Sequence, residues 1–240
     1  LPIIARGHRE MMSNARDTQI FLGGRSVVGL LWWLAIALVG SSCLWPFPLA
    51  VRFFGEAVPR YVSSVELLLV ACIAGAAWCV TPRMATWDAQ GGPHVRRRAA
   101  LSCLVVLVLA WCIAVFFVQF GYHLPFSLVS REGFSASDFP VDRLSPAALG
   151  IANRVVVVGS LTISAAAIIG RVPGTVMSAA AYVALLYLER SSPLFGVAGA
   201  GEVRSLVEPS LALLLPIAAT FIWWVTTGTG ALARRLDPRS

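Results

Sequence analysis

Arg154 follows Asn153 inside "IANRVVVVGSLTISAAAIIG", residues 151–170, a run otherwise made of apolar and small residues. A guanidinium in such a run can grip a carboxylate with two parallel hydrogen bonds, line a polar path, or answer a ligand. Two acids match it in depth. Glu66 opens one apolar run and Glu189 closes another, and Gln119 ends a third. The sequence predicts an intramembrane polar cluster of Asn153, Arg154, Glu189, Glu66 and Gln119.

Glu189 is the favoured partner. "GRVPG", residues 170–174, reads as a tight turn between antiparallel helices; Arg154 lies about 17 residues before it and Glu189 about 15 after it. At about 1.5 Å per residue the two reach nearly one height. Asn153, Ser160 and Ser164 share a helical face, with Thr162 off it, so this stretch has a polar stripe to turn toward other helices. The simplest role for the pair is a structural tie at one end of a bundle. The alternative is a polar path or a response to an outside ligand.

Other chemistries lack their residues. The three histidines, His8, His94 and His123, all fall between apolar runs, where they cannot ligate a membrane haem or serve an intramembrane serine protease. No HExxH or Walker sequence occurs, and with no lysine there is neither a P-loop lysine nor a Schiff base. Cys43, Cys72, Cys79, Cys103 and Cys112 sit in apolar runs without a CxxC and read as small packing residues. The expectation is a non-enzyme with no cofactor and no bound metal.

These residues must be positioned by helices in lipid. The chain has 240 residues, 58% hydrophobic and only 13% charged, against roughly a quarter charged in soluble domains. Its mean hydropathy is +0.77. Six stretches read as spans against the roughly 20 apolar residues that a bilayer core demands: 27–49, 63–80, 99–120, 149–170, 175–188, which is short, and 210–232. The fold expected is all-α, a polytopic membrane protein of six transmembrane helices. A polar segment, 1–26, precedes the spans; its arginines and lack of a cleavage pattern are unlike a signal peptide, and it approximates an amphipathic interfacial helix. A tail, 233–240, follows the transmembrane domain 27–232.

Arginine placement sets the orientation. With six spans, twelve of the nineteen arginines fall on the side of the two termini and six on the other, and Arg154 is in the membrane. Arg96, Arg97 and Arg98 abut the third span directly. By the positive-inside rule both termini are cytoplasmic. The net charge of +7 follows from this dispersal at span ends rather than from a nucleic-acid-binding face. Residues 121–150 are expected as an external segment over the outer mouth. Residues 191–209 are a second external piece, with a re-entrant form open to them. The 83–98 loop, "RMATWDAQGGPHVRRR", carries Trp87 and Asp88, which read as a partner-docking contact or, for Trp87, an interface anchor.

The architecture therefore predicts a permease subunit in a bacterial inner membrane, an ABC-type exporter component driven by a separate cytoplasmic ATPase subunit. Other membrane subunits or further copies of the chain are expected beside it in the lipid bilayer. Two alternatives stay open: a non-catalytic structural subunit of a larger membrane complex, and a solute-binding component with an outward-facing pocket.

Overall fold

The computed structural model describes residues 27–44, 48–51, 60–81, 93–120, 141–191 and 207–226. They form an all-α bundle of six helices: α1 (Val27–Leu44), α2 (Ser64–Val80), α3 (Pro93–Phe120), α4 (Val141–Ile169), α5 (Arg171–Ser191) and α6 (Val207–Thr226). A small antiparallel hairpin, β1 (Pro48–Val51) with β2 (Arg60–Ser63), joins α1 to α2. Five helices are long and apolar enough to cross a membrane, and α2 is an apolar helix of 17 residues.

The helices keep the apolar runs but shift their ends. β1 begins at Pro48, so the first run divides into helix and strand. Pro48 can start a strand, where its missing N–H need not serve a ladder. Pro93 opens α3, so 93–98, expected as part of the loop, is helical; the missing N–H of a proline is spare in a first turn. Residues 141–150, expected as part of an external segment, are the first turns of α4. The "RVPG" stretch, expected as a turn, is the first turn of α5, where proline is tolerated. The turn itself is Gly170 alone, at φ +106°, a conformation that suits glycine.

Close contacts fix the helix directions. Trp33 on α1 lies over Gly75 on α2, and Leu68 on α2 lies over Gly40 on α1; a Cβ at Gly75 would stand 2.1 Å from the Trp33 indole, and one at Gly40 would stand 2.7 Å from Leu68. Each partner thus offers one large and one absent side chain, seven residues apart, and the crossed order makes the pair antiparallel. Leu107 and Ile73 crowd Gly159 in the same way, locking α3 and α2 onto α4. Such small-residue approaches drive helix association in lipid, where no hydrophobic difference separates a leucine from an acyl chain.

The order of contacts gives an up-and-down bundle with α4 at its centre. α4 packs on α2, α3, α5 and α6. Of its span 61% is buried, against 11% for α1 and for α6. One apolar layer joins α1, α2, α3 and α4 around Leu69, Ile73 and Ala114. Another joins α2, α3, α4 and α6 around Leu107, Ile163 and Trp223. A third brings Val62 of β2 against Val70, Val158, Tyr182 and Leu186, so the hairpin sits on one end of the bundle. That end is called the hairpin end below. The opposite end, with the first turns of α3 and α5, is the arginine end.

Candidate functional site: an ion pair under the hairpin

The strand β2 runs straight into α2 at Ser63–Ser64, so the first turn of the helix starts beneath the hairpin. Glu66 stands in that turn, where the unpaired N–H groups of a helix start favour a carboxylate. Its side chain is only 1% exposed. Arg154, on the central helix α4, meets it with a fork: Nε donates to Oε1 at 2.8 Å and Nη2 donates to Oε2 at 3.0 Å. Charge-assisted, two-point geometry of this kind is among the stronger polar contacts in proteins. Burying both ions is costly in itself, so the pair serves more to fix which helices meet, and at what height, than to add net stability.

The other members of the expected cluster divide. Asn153 joins it from the next position on α4, its Oδ1 accepting a hydrogen bond from Trp111 Nε1 on α3 at 3.4 Å, a long and weak contact. α2, α3 and α4 are therefore linked by neighbouring residues of one helix turn. Gln119 lies in the last turn of α3 and Glu189 in the last turn of α5, with both side chains outside the described residues. Trp87 and Asp88 lie outside them altogether.

The described fork of Arg154 goes to Glu66, while the side chain of Glu189, the favoured partner, lies outside the described residues. The height argument depended on "RVPG" being a turn. Because α5 already starts at Arg171, Glu189 stands 19 residues beyond Gly170 while Arg154 stands 16 before it. At about 1.5 Å per residue, the mismatch is roughly 4–5 Å, close to one helical turn.

The polar stripe of α4 does turn inward. Ser160 is 1% exposed, its hydroxyl without a hydrogen-bond partner among the described residues, and Ser164 is half-buried. Thr162 is also fully buried, with its hydroxyl donating to the Val158 carbonyl of its own helix at 2.8 Å. Helices cover most of α4, so Thr162, off the stripe, is enclosed as well, while Leu161 and Ile168 stay exposed. Self-bonding of this kind satisfies a hydroxyl without creating a polar path.

Two aromatic contacts escaped the sequence reading. Trp111 is one; an indole at mid-run with its N–H needing a partner was the available signal. The other is Arg171 at the start of α5, whose Cζ lies 4.0 Å from the centroid of the Trp78 ring on α2. The adjacency of α2 and α5 that it needs cannot be read from sequence order. A cleft of about 90 Å³ opens between α1 and α3 with α2 behind it, lined only by apolar residues such as Leu31, Trp33, Cys72 and Leu109. It is suited to hydrocarbon rather than to a polar solute. Comparison with family models, with curated proteins and with solved structures finds no match for this chain.

Proposed function

We propose that the protein is the membrane-spanning permease subunit of an exporter, powered by a separate ATPase subunit that docks at the arginine end. The observation that supports this most is the alternating six-helix order. It puts the chain leading into α1, the α2–α3 connection and the chain leaving α6 at one end of the bundle. A soluble motor approaching that end would meet both termini and the connection carrying Trp87 and Asp88 together. In this reading the arginine end is cytoplasmic, the hairpin end faces outward, and the membrane is a bacterial inner membrane.

The filled interior adds a condition. The described helices close around three apolar clusters, and the cleft between α1 and α3 is lined by hydrocarbon side chains. A translocation path in this reading runs between this chain and a second subunit, with Arg154 and Glu66 tying together the central helices that support the outer ones. A second reading, as a structural subunit packed inside a larger membrane complex, would cover the apolar faces left bare on α1 and α6, including Trp32, Leu213 and Phe221. Changing Trp87 and Asp88 together to Ala separates the two. The permease reading expects normal membrane insertion with sharply reduced recovery of a Walker-type ATPase; unchanged recovery counts against docking through this connection.

A further inference from the structure

We propose that the protein holds an anionic phospholipid at the arginine end, its phosphate against Arg171 where that side chain lies on Trp78. Among the described residues this end carries Arg96, Arg97, Arg98 and Arg171 and no Asp or Glu, a balance that favours an anionic ligand. Arg171 is distinctive because its Cζ lies over the Trp78 ring, 4.0 Å from its centroid. Arg171 is partly exposed with its Nε buried, so phosphate oxygens would be met by its Nη groups. Arg171 is also the first residue of α5, whose helix start favours negative charge.

The surroundings select a lipid over a free anion. Trp78 is 37% exposed, as an indole at a membrane interface would be. Just along α5 from Arg171, Val172, Val176 and Met177 are exposed apolar side chains. A ligand with its phosphate at Arg171 therefore has an apolar helix surface directly below it, where acyl chains fit and an inorganic ion gains nothing. Seams between membrane helices with basic residues at the interface are where anionic headgroups bind. Only the leaflet that supplies the lipid depends on the orientation proposed above; the headgroup chemistry does not.

The test uses the purified full chain in neutral detergent, with thermal midpoints followed against added phosphatidylglycerol, phosphatidylcholine or inorganic phosphate. The expected result is a saturable rise with phosphatidylglycerol alone. Arg171→Gln should weaken the apparent lipid affinity about fivefold or more, the effect of one interfacial arginine. Trp78→Leu keeps the charge but loses the ring contact and should weaken it as well, while Arg97→Gln should weaken it less than either. Equal responses to the two lipids, a response to inorganic phosphate alone, or wild-type behaviour of Arg171→Gln would overturn the proposal. If Arg171→Gln does not fold, native mass spectrometry of Trp78→Leu decides: fewer retained phosphatidylglycerol molecules than wild type support the site, and equal retention overturns it.

Discussion

Replacing Arg154 with Leu should be among the most damaging single changes in this chain. Glu66, 1% exposed under the hairpin, would lose its fork. Leaving a buried ion without its partner typically costs about 3–5 kcal/mol. Glu66→Leu should cost less, because Arg154 is 15% exposed and its long side chain can lift its head toward the interface. Changing both to Leu should restore most of the loss, since apolar replacements of buried pairs are often neutral. The coupling energy should therefore be about 3 kcal/mol, well above the roughly 0.2–1 kcal/mol of an exposed pair. Arg154→Lys should fall between wild type and Arg154→Leu, because an ammonium keeps the charge but cannot make the planar fork. The assay is the unfolding midpoint of each variant in one detergent at fixed lipid content, closed into a double-mutant cycle. Additive losses for Glu66 and Arg154 would refute the reasoning. So would a stronger coupling between Arg154 and Glu189 than between Arg154 and Glu66.

Two further outcomes follow from packing and direction. Gly75→Ala places a methyl within 2.1 Å of the Trp33 indole and should destabilise by about 1–3 kcal/mol, the range for overpacked cores, with Trp33→Leu recovering part of the loss. Gly174→Ala should be worse and should resist rescue, because its methyl meets the Ala166 backbone at 2.3 Å; unfolding midpoints compare the two. For topology, a cysteine at His94 in a cysteine-free background should react with impermeant reagent only from the cytoplasm, and one at Leu49 only from outside. Labelling of both from one face would remove the alternating arrangement.

The helices were legible in sequence because a bilayer sets one length and one composition for them, and all six apolar runs became helices. The polar cluster was legible in kind. A charge inside such a run must find a partner, and Glu66 was one of the two acids at a matching depth. That Glu66 makes the fork was not legible, because nothing local in the sequence makes α2 adjoin α4. Proline and glycine both end helices and begin them, so "RVPG" read as a turn when it was a first turn. The hairpin was hidden for a related reason. "PLAV" and "RYVS" are each four residues, too short to show an alternating pattern, and pair only through the intervening loop. The first turns of α4 include Asp142, Arg143 and Pro146 and are too polar to register as span. The Trp78–Arg171 contact depends on α2 meeting α5, a neighbour relation created by the central position of α4.

The most direct measurement of the central claim is purification of the intact assembly from native membranes in mild detergent, followed by identification of its subunits and assay of ATP hydrolysis. The permease account expects this chain with one Walker-type ATPase, in a fixed ratio, and hydrolysis that falls when Trp87 and Asp88 are both changed to Ala. Isolation with many membrane subunits and no ATPase, or alone without any, would contradict it.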